Sequence, residues 1–333
     1  MSCASSPGIG CQTFGSQLLG EWPVRCPVPE LPDIIVYVEA LTSHLVGRRL
    51  DRLRLMSPFV LRSVEPPIAE VDTKVVRGIR RLGKRIALEM DDDLFLVIHL
   101  MIAGRLRWRA LGVKPGLSSK IVLALFEFEN GTLLFTEAGS TKRASIQLVK
   151  GEAGLHRIDR GGLEVLEATP GQFQEALVRE NHTLKRGLTD PRLFSGIGNA
   201  YSDEILHAAG LSPLKLTRSL SNDEVFQLYE ATRATLLAWI GRLREECHGG
   251  FPEKVTAFHG EMAVHGRFGQ PCPACGSRVQ RIVYAENECN YCPECQTDGR
   301  LLADRALSRL LKQDWPRSLE EWDEHIENRR QNM

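Results

Sequence analysis

The first clear pattern of apolar and polar positions begins a little after residue 30 and predicts a helix. Its apolar residues recur at helical spacing: Ile34, Ile35, Val38, Leu41 and Leu45. Asp33 can cap the start of this helix and Gly47 can end it. The apolar stripe buries the body of the segment and leaves the residues before Asp33 at its open end.

Runs of apolar residues bounded by turn signals then predict a β-rich region. The clearest strands are residues 85–90, 94–100, 120–128 and 132–136. Asp91-Asp92-Asp93 separates the first two, and Asn130-Gly131, a dipeptide that favours tight hairpin turns, separates the last two. We therefore expect two hairpins within a mainly antiparallel sandwich or barrel that packs with the first helix.

Helical periodicity returns over residues 170–180 and 221–246. Between them, Gly196-Ile197-Gly198-Asn199 is expected to break one helix and start another. Glycines let another backbone approach closely, and the free amides at the start of a helix favour phosphate. The same residues fit a plain tight corner between packed helices. Lys185 upstream and Asn199, which can cap the helix or reach a phosphate, favour the phosphate interpretation.

Four cysteines near the end of the chain are spaced as metal ligands. Cys272 and Cys275 form one C-x-x-C pair, and Cys292 and Cys295 form a second pair after sixteen intervening residues. This spacing is typical of a zinc ribbon, in which four thiolates surround one tetrahedral zinc ion. The residues between the pairs can form a hairpin, and the zinc is expected to be structural.

Composition sets limits on these predictions. The 333 residues are 43% hydrophobic and 25% charged, as is ordinary for a soluble globular protein of two or three domains. The formal net charge is zero, so a polyanion would have to be held by local basic patches. No apolar run is long enough to span a bilayer, and no membrane partner is expected. Nine cysteines, four of them in pairs, fit a reducing cytosol and a metal better than secretion.

The pattern divides the chain into five segments. They are an extension (1–28), a β-rich domain (29–155), a helical domain (160–262), a four-cysteine module (263–297) and a tail (298–333). The extension is rich in Gly, Ser, Pro and Cys and lacks the apolar core of a signal peptide, so we expect disorder. In the tail we expect a helix near residues 301–311 and an acidic, Trp-rich end.

Basic residues concentrate at two places in the β-rich domain. The first is a run without an acidic residue: Lys74, Arg77, Arg80, Arg81, Lys84 and Arg85. The second alternates along one strand face: Arg105, Arg107 and Arg109. Either set alone fits a solvated surface equally well. Together on one domain they favour a groove lined for phosphates.

The segment Pro29-Glu30-Leu31-Pro32-Asp33-Ile34 is a poor start for a strand and only a fair one for a helix. A proline that is the first residue of a chain carries a secondary amine, and an α-amino group with a pKa of about 8 is partly unprotonated near neutral pH. Such an amine can attack an electrophilic carbon to give an iminium. In this chain Pro29 follows Val28, so its nitrogen is an amide and is not nucleophilic.

Val28 offers a way for that amine to become free. A valine codon can serve in bacteria as a start codon read as methionine. We hypothesise that the native chain begins at Val28 as Met-Pro-Glu-Leu-Pro-Asp and that the methionine is then removed. The alternative is a genuine disordered leader. N-terminal analysis of protein from the natural host distinguishes them, since a mature terminus at residue 1 or 2 excludes the first hypothesis.

Taken in order, these motifs resemble the formamidopyrimidine-DNA glycosylase and endonuclease VIII family. The resemblance covers about residues 28–297 and rests on the proline-led PELPDI, the β-rich domain, the Gly-x-Gly-Asn turn and the four-cysteine finger. It implies an α+β multidomain fold: an N-terminal β-sandwich with flanking helices, a helical helix-two-turn-helix domain and a C-terminal zinc-ribbon finger. It also implies a base-excision repair DNA glycosylase with AP lyase activity, which works through an N-terminal proline Schiff base.

The resemblance assigns roles to individual residues. Pro29 would be the nucleophile that attacks C1′ of a damaged nucleotide turned out of the stack, and Glu30 the acid/base group at the sugar ring. Lys84 would contact a phosphate and assist β-elimination. Lys185 and Asn199 match DNA-contacting positions of the helix-two-turn-helix motif. The expected ligands of one structural zinc ion are Cys272, Cys275, Cys292 and Cys295.

Four features depart from the family pattern. The second carboxylate is Asp33 in place of the usual glutamate, and this shorter acid can shift a contact near the site. Ile102 stands where the family has a wedge methionine. The arginine and phenylalanine wedge is replaced by EAGSTKRA, where Lys142 or Arg143 can take the arginine's role. Asn287 replaces the finger-tip arginine and cannot supply a cationic fork for phosphate, which affects finger closure and the second elimination. A preference for 8-oxoguanine does not follow.

The leading hypothesis is a glycosylase and lyase that acts on oxidised bases or abasic sites in double-stranded DNA. We expect a monomer in the bacterial cytoplasm, associated with the nucleoid when bound to DNA. The competing hypothesis is a noncatalytic protein that keeps the scaffold and only recognises distorted DNA. A third, a zinc-ribbon RNA-binding protein, leaves PELPDI and the basic first domain unexplained. A free Pro29 amine separates the first two.

Overall fold

The computed structural model describes residues 28–113, 116–118, 120–139, 141–253, 259–284, 287–303, 316–321, 323–324 and 327. Two large apolar cores organise them, one inside a β-sandwich and one among helices. The expected α+β architecture is confirmed. Within the described residues, no helix is both long and apolar enough to cross a membrane.

The first helix, α1 (Leu31–Leu45), belongs to both cores and begins two residues before Asp33, the predicted cap. Glu30 is its N-cap residue, and the Glu30 amide donates to the Asp33 carboxylate across the first turn. Pro32 stands in that turn, where a missing N–H leaves no helical bond unmade. Leu31 packs in the helical core. The residues of α1 that pack in the sandwich core are Ile34, Tyr37, Leu41 and Leu45.

The sandwich consists of two four-stranded antiparallel sheets. Its strands are β1 (Leu50–Leu55), β2 (Val76–Leu82), β3 (Arg85–Met90), β4 (Leu94–His99), β5 (Gly104–Ala110), β6 (Val122–Phe128), β7 (Gly131–Glu137) and β8 (Ser145–Lys150). One sheet has the order β1-β6-β7-β5 and the other β2-β3-β4-β8. Both predicted hairpins are present, β3–β4 turning at the three aspartates and β6–β7 at Asn130-Gly131.

Five helices follow the sandwich. They are α2 (Gly151–Ile158), α3 (Pro170–Val178), α4 (Leu184–Thr189), α5 (Asn199–Ala208) and α6 (Asn222–Cys247). A helix starts at the glycine turn, as predicted, but its N-cap is Gly198 and not Asn199. The glycines also do not end the preceding helix. Instead, α4 ends at Thr189. The cause is Pro191, whose ring disfavours helical conformation at the residue before it, and Asp190 has an extended ψ of 114°.

The cysteine module is a hairpin of β9 (Gln280–Tyr284) and β10 (Asn287–Tyr291), followed by the short α7 (Pro293–Thr297). The predicted hairpin between the two cysteine pairs is therefore confirmed. The segment that leads into the module is attached to α5, because the buried Glu204 carboxylate accepts three successive backbone N–H groups at 2.7–2.9 Å. Their residues are Ala263, Val264 and His265.

Parts of the tail lie against the finger. The Leu301 amide donates to the Arg317 carbonyl at 2.9 Å, and Arg278 of the finger forms an ion pair with Asp323. Residues 301–303, at the start of the predicted tail helix, are not helical, and residues 304–311 lie outside the described part of the chain. The predicted disordered extension, apart from Val28, also lies outside it.

Candidate active site

The Glu30 carboxylate lies at the N-terminus of α5, although 168 residues separate Glu30 from Gly198. Its oxygens accept the backbone N–H groups of Gly198 at 2.7 Å, Ala200 at 2.9 Å and Tyr201 at 3.2 Å. The first amides of a helix have no partner inside the helix, and a negative charge also suits the positive end of its dipole. The side chain is 2% exposed, so these contacts fix it in place.

Gly198 provides the space in which two predicted site residues meet. A Cβ atom at this position would overlap both the Glu30 carboxylate and Nζ of Lys84. Its φ of −132° is one that any residue can adopt, so the backbone does not require glycine here. The requirement for glycine is therefore steric, and Lys84 and Glu30 lie together over the start of α5.

Lys84 reaches this place from the turn between β2 and β3. Burial lowers the pKa of its ammonium group, and Lys185 lowers it further, whereas Glu30 and Asp33 nearby act to raise it. A lysine whose pKa is depressed can both bind an anion as a cation and accept a proton as an amine.

Asp33 lies directly beneath Glu30 and is completely buried. Its Oδ2 accepts the Glu30 amide at 2.8 Å, and within the described residues its Oδ1 has no hydrogen-bond partner. Burial raises the pKa of the Asp33 carboxyl to about 7, and the neighbouring Glu30 charge acts in the same direction. Asp33, which stands in place of the family's usual glutamate, thus supports Glu30 through this backbone contact.

Pro29 immediately precedes Glu30 and is buried, and Val28 before it is half-buried. The strand of chain that carries them is anchored just inside α1, where the Leu31 amide donates to the Gly196 carbonyl at 2.9 Å. Pro29, Glu30 and Lys84, which the sequence proposes as the catalytic group, therefore occupy one region at the junction of the two cores.

Lys185 and Asn199 also lie at the start of α5. The Lys185 ammonium donates to the Asn199 carbonyl at 2.6 Å and forms an ion pair with the fully buried Asp203. Burial alone would raise the pKa of Asp203, but Lys185 and His265 together hold it below its ordinary value. Lys185 is thus a structural ion-pair partner as well as a candidate DNA contact, and sequence reasoning missed Asp203.

Lys142 and Arg143 lie on a loop that Glu137 holds in place. The Glu137 carboxylate, 1% exposed, accepts the Arg143 amide at 3.0 Å and the Ala144 amide at 3.2 Å, and its backbone carbonyl accepts the Lys142 ammonium. The Arg143 side chain is exposed. Sequence reasoning missed Glu137, whose only signal there is a charged residue at the end of an otherwise buried strand.

Most of the acid-free basic run is neutralised by acids from elsewhere in the fold. The ion pairs are Lys74–Asp92, Arg77–Asp91, Arg80–Glu152 and Arg81–Glu164. Arg109 and Arg107 of the second set both pair with Glu253. Sheet pairing and tertiary packing thus bring carboxylates to both sets of basic residues, and a groove lined for phosphates stays a prediction.

Two positions that depart from the family pattern lie in turns or at strand ends. Ile102 is half-buried in the turn between β4 and β5, where the preceding Met101 has a φ of +53°. Asn287 begins β10, and its side chain lies outside the described part of the structure.

The four paired cysteines converge on one point, and their sulfur atoms all lie within 4.8 Å of one another. The Cys272 and Cys295 sulfurs are 3.9 Å apart, and those of Cys275 and Cys292 are 3.3 Å apart. Four thiolates bound tetrahedrally to zinc at about 2.3 Å would be about 3.8 Å apart. The cluster therefore has the donor type, number and spacing that a structural zinc ion requires.

Comparison with known proteins agrees with this architecture. Residues 28–139 match the formamidopyrimidine-DNA glycosylase N-terminal domain, and residues 164–244 match the formamidopyrimidine-DNA glycosylase H2TH domain. A formamidopyrimidine-DNA glycosylase from Herpetosiphon aurantiacus is 30% identical over 281 residues, which cover 81% of this chain and 100% of the relative. An uncharacterised glycosylase-like protein from Mycobacterium tuberculosis is 37% identical over 155 residues, 45% of this chain and 94% of the relative.

Solved structures give the same result. The Lactococcus lactis Fpg in complex with DNA containing an abasic site has a TM-score of 0.70 and 26% identity, with 80% of this chain and 99% of that chain covered. MutM in complex with DNA containing carbocyclic 8-oxoG has a TM-score of 0.70, 25% identity and coverage of 81% and 100%. With the two domain models and full-length relatives in agreement, this chain belongs to the formamidopyrimidine-DNA glycosylase family.

Proposed function

We propose that this chain removes oxidised bases from double-stranded DNA and then cuts the strand, with the Pro29 amine as the nucleophile. Base-excision repair by a glycosylase with associated AP lyase activity is characteristic of the family. The observation that carries the residue assignment is the meeting of Glu30 and Lys84 over Gly198, directly beside Pro29.

In the proposed first step, the free Pro29 nitrogen attacks C1′ of the damaged nucleotide. The N–C1′ bond forms, and the bond from C1′ to the base breaks with its electron pair leaving on the base, which takes up a proton. The Pro29 nitrogen then loses its own proton and the sugar ring opens to give an iminium. Glu30 is the proposed acid/base group that exchanges a proton with the ring oxygen.

The iminium then serves as an electron sink for strand cleavage. It acidifies the C2′ hydrogen, and removal of that proton allows the C3′–O bond to break so that the 3′ phosphate leaves. Water finally hydrolyses the iminium and releases Pro29. Lys84 is the proposed phosphate contact that assists this elimination, since its lowered pKa allows either a cation or a proton acceptor at that place.

The remaining predicted contacts are proposed to hold the DNA backbone. Two of the three ammonium donors of Lys185 have protein acceptors, so one stays available for a phosphate. Asn199 is half-buried beside it, and the Arg143 guanidinium is exposed on the loop held by Glu137. Lys142 is the weaker candidate on that loop because its ammonium already binds the Glu137 carbonyl.

We further propose one structural zinc ion held by the four cysteines, action as a monomer on damaged double-stranded DNA, and a location in the bacterial cytoplasm at the nucleoid. The cysteine geometry supports the zinc, and the damaged DNA in the complexes of related proteins supports the partner. Metal content per chain and the mass in solution, by light scattering, test the zinc and the monomer.

The decisive test is covalent trapping with borohydride, which reduces an iminium to a stable amine. Protein that begins at Pro29 is mixed with duplex DNA that contains an abasic site, and protein that begins at Met1 is treated in parallel. We expect an adduct only from the chain that begins at Pro29. In that chain Pro29→Gly should lose most of the adduct, whereas Lys84→Ala should still form it.

The absence of an adduct from the Pro29 chain would reject the catalytic proposal and favour the noncatalytic damaged-DNA binder. Binding to DNA that carries a reduced abasic site, measured on the same samples, separates that result from a failure to fold. Adduct formation by the Met1 chain at the same rate would show that another amine is the nucleophile.

A further inference from the structure

The helical domain contains an open depression of about 330 Å³ that none of the proposed roles uses. It is lined by Arg160, Arg186, Thr189, Asp190, Pro191 and Arg192. We call it the arginine pocket. Three guanidinium groups at one depression make a local concentration of positive charge, which protein carboxylates or an external anion would offset.

The three arginines differ in how the protein neutralises them. Arg192 forms ion pairs with Asp190 at 2.6 Å and with Glu180 at 3.4 Å. For Arg160 and Arg186, no carboxylate lies within the 4.0 Å ion-pair distance among the residues that the structure describes. This contrasts with the basic run on the sandwich, where Lys74, Arg77, Arg80 and Arg81 are all paired.

The pocket is held together by backbone contacts between its two walls. The Leu163 amide donates to the Leu193 carbonyl, and the Ser195 amide donates to the Leu163 carbonyl, both at 2.9 Å. A Cβ at Gly162 would overlap the Pro191 carbonyl, so the segment that carries Arg160 lies directly against the opposite wall. The backbone that carries Arg160 is therefore held against the wall that carries Pro191 and Arg192 before any ligand arrives.

The pocket lies beside the candidate active site. Arg186 follows Lys185, whose ammonium touches Asn199 at the start of α5. On the other side, Arg85 follows Lys84 in sequence, and its pKa is lowered by burial and by the nearby Arg160 charge. Arg160 thus lies near Arg85, the neighbour in sequence of the proposed catalytic lysine, and an anion placed among these arginines would relieve their mutual repulsion.

We infer that the arginine pocket binds a backbone phosphate of the damaged strand beyond the nucleotide that reacts, with Arg160 and Arg186 as its cationic contacts. This inference rests on the proposed function, because it takes the DNA to lie along the Lys84 and Lys185 side of the molecule. Guanidinium groups suit the task, since their planar donors match phosphate oxygens in pairs. Such binding adds affinity without reading the base sequence.

The test is equilibrium binding of a duplex with a stable abasic analogue, as a function of salt, by the Arg160→Ala/Arg186→Ala variant of the full chain. Removal of two charge-assisted hydrogen-bond donors should weaken binding by about tenfold or more at moderate salt. The slope of log K against log salt should become shallower by roughly 0.9 for each phosphate that the variant no longer binds.

A matched control removes two arginines that the fold places elsewhere. Arg48→Ala/Arg49→Ala changes the charge by the same amount, and both side chains are exposed and paired with acids of their own. This control should keep the affinity and salt slope of the wild type. Melting temperatures of both double variants should stay near the wild type, since the four side chains are on the surface.

Duplex length identifies the phosphate. The duplex is shortened stepwise, first on one side of the abasic analogue and then on the other. Once the phosphate that the arginine pocket binds has been removed, the wild type and the pocket variant should bind the duplex with equal affinity. An affinity and slope equal to those of the control, with every duplex, would overturn the inference. Failure of borohydride trapping by the chain that begins at Pro29 would refute the proposed chemistry alone, because the binding measurement does not depend on it.

Discussion

At the scale of single residues, Gly198 is important because it has no side chain. Its backbone conformation is open to other residues, but the space that a side chain would fill is taken by Lys84 and Glu30. The sequence points to the Gly-x-Gly-Asn turn through its flexibility and its amides. The steric requirement cannot be foreseen in this way, because both side chains come from segments far away in the chain.

Gly198→Ala should therefore disable the site with little change in the backbone. The methyl group must displace both Lys84 and Glu30. We expect trapping and strand cleavage by the Pro29 chain to fall at least about a hundredfold, as for displaced catalytic groups in general. Gly241→Ala is the control: Gly241 lies within α6, nothing lies within 4 Å of its added Cβ, and the substitution should preserve activity. Normal activity of Gly198→Ala would contradict the described packing.

Asp33 should make the stability of the protein depend on pH in a definite direction. Its pKa is raised from 3.8 in the unfolded chain to about 7 in the folded protein, so between these values the folded state holds a proton that the unfolded state has lost. The contribution of Asp33 to the free energy of unfolding is fully present below pH 3.8. It falls as the pH rises and is lost above about pH 7. The full change is on the order of 4 kcal/mol.

Asp33→Asn removes this titration. Compared with the wild type, the variant should gain relative stability as the pH is raised from about 5 to about 8 in urea unfolding experiments. Asp51→Asn, at an exposed position, provides the comparison and should follow the wild type. Parallel pH profiles for wild type and Asp33→Asn would show that the Asp33 carboxyl is not protonated in the folded state.

At the scale of elements, α5 links the candidate site to the finger. Its first amides hold Glu30, and its next turn carries Asp203 and Glu204, which bind the residues leading into the finger and the finger itself. Asp203 accepts the Asn290 amide of β10 at 3.1 Å and contacts His265 at 2.8 Å. One helix of ten residues thus sets the position of the finger relative to the proposed catalytic residues.

Asp203→Asn should weaken this link. The substitution leaves the Lys185 ammonium, 13% exposed, without its charged partner, and removing one member of a buried pair costs about 3–5 kcal/mol. We expect a clearly lower melting temperature and faster loss of zinc to a chelator. Glu129→Gln, which breaks the exposed pair with Arg48, should cost less than about 1 kcal/mol. Equal effects of the two substitutions would contradict the proposed link.

Elements are predictable where the signal is local. The stripe of α1 and the Asn130-Gly131 hairpin each lie within a short stretch, and both predictions are confirmed. The spacing of the cysteines likewise brings their four sulfur atoms together, and the zinc ion stays a prediction. The predicted end of α4 is wrong because Pro191 acts on the helix before the glycines do. The ion pairs of the basic run depend on carboxylates 14 to 83 residues away, which no local pattern records. Glu137 binds residues only five to seven positions further on, but a loop closed on a buried carboxylate has no sequence signature.

At the scale of the whole molecule, the finger has a small core of its own, in which Cys272 and Cys292 pack with Val264 and Val279. Because the cysteines are both candidate metal ligands and core residues, removal of zinc should unfold the finger and leave the sandwich intact. After chelation we expect DNA affinity to fall while most of the circular dichroism signal is retained.

Cys275→Ser should reproduce the effect of chelation, since it removes one ligand of the cluster. Cys247→Ser, at the end of α6 and outside the cluster, should bind zinc and DNA as the wild type does. Full DNA affinity in the metal-free protein would argue against a role of the zinc in holding the DNA-binding surface.

The long separation in sequence between Glu30 and its three amide partners means that Glu30 lacks them for part of the time during synthesis of the chain. During synthesis the ribosome must add a further 168 residues after Glu30 before Gly198 exists, which takes on the order of ten to thirty seconds. Throughout that interval the segment around Pro29 is already outside or leaving the ribosome without its partners. If the native chain begins at Val28, enzymes that remove the initial methionine can reach it in that interval, whereas Pro29 is buried in the folded protein. A free Pro29 amine would then be produced while the chain is still being made.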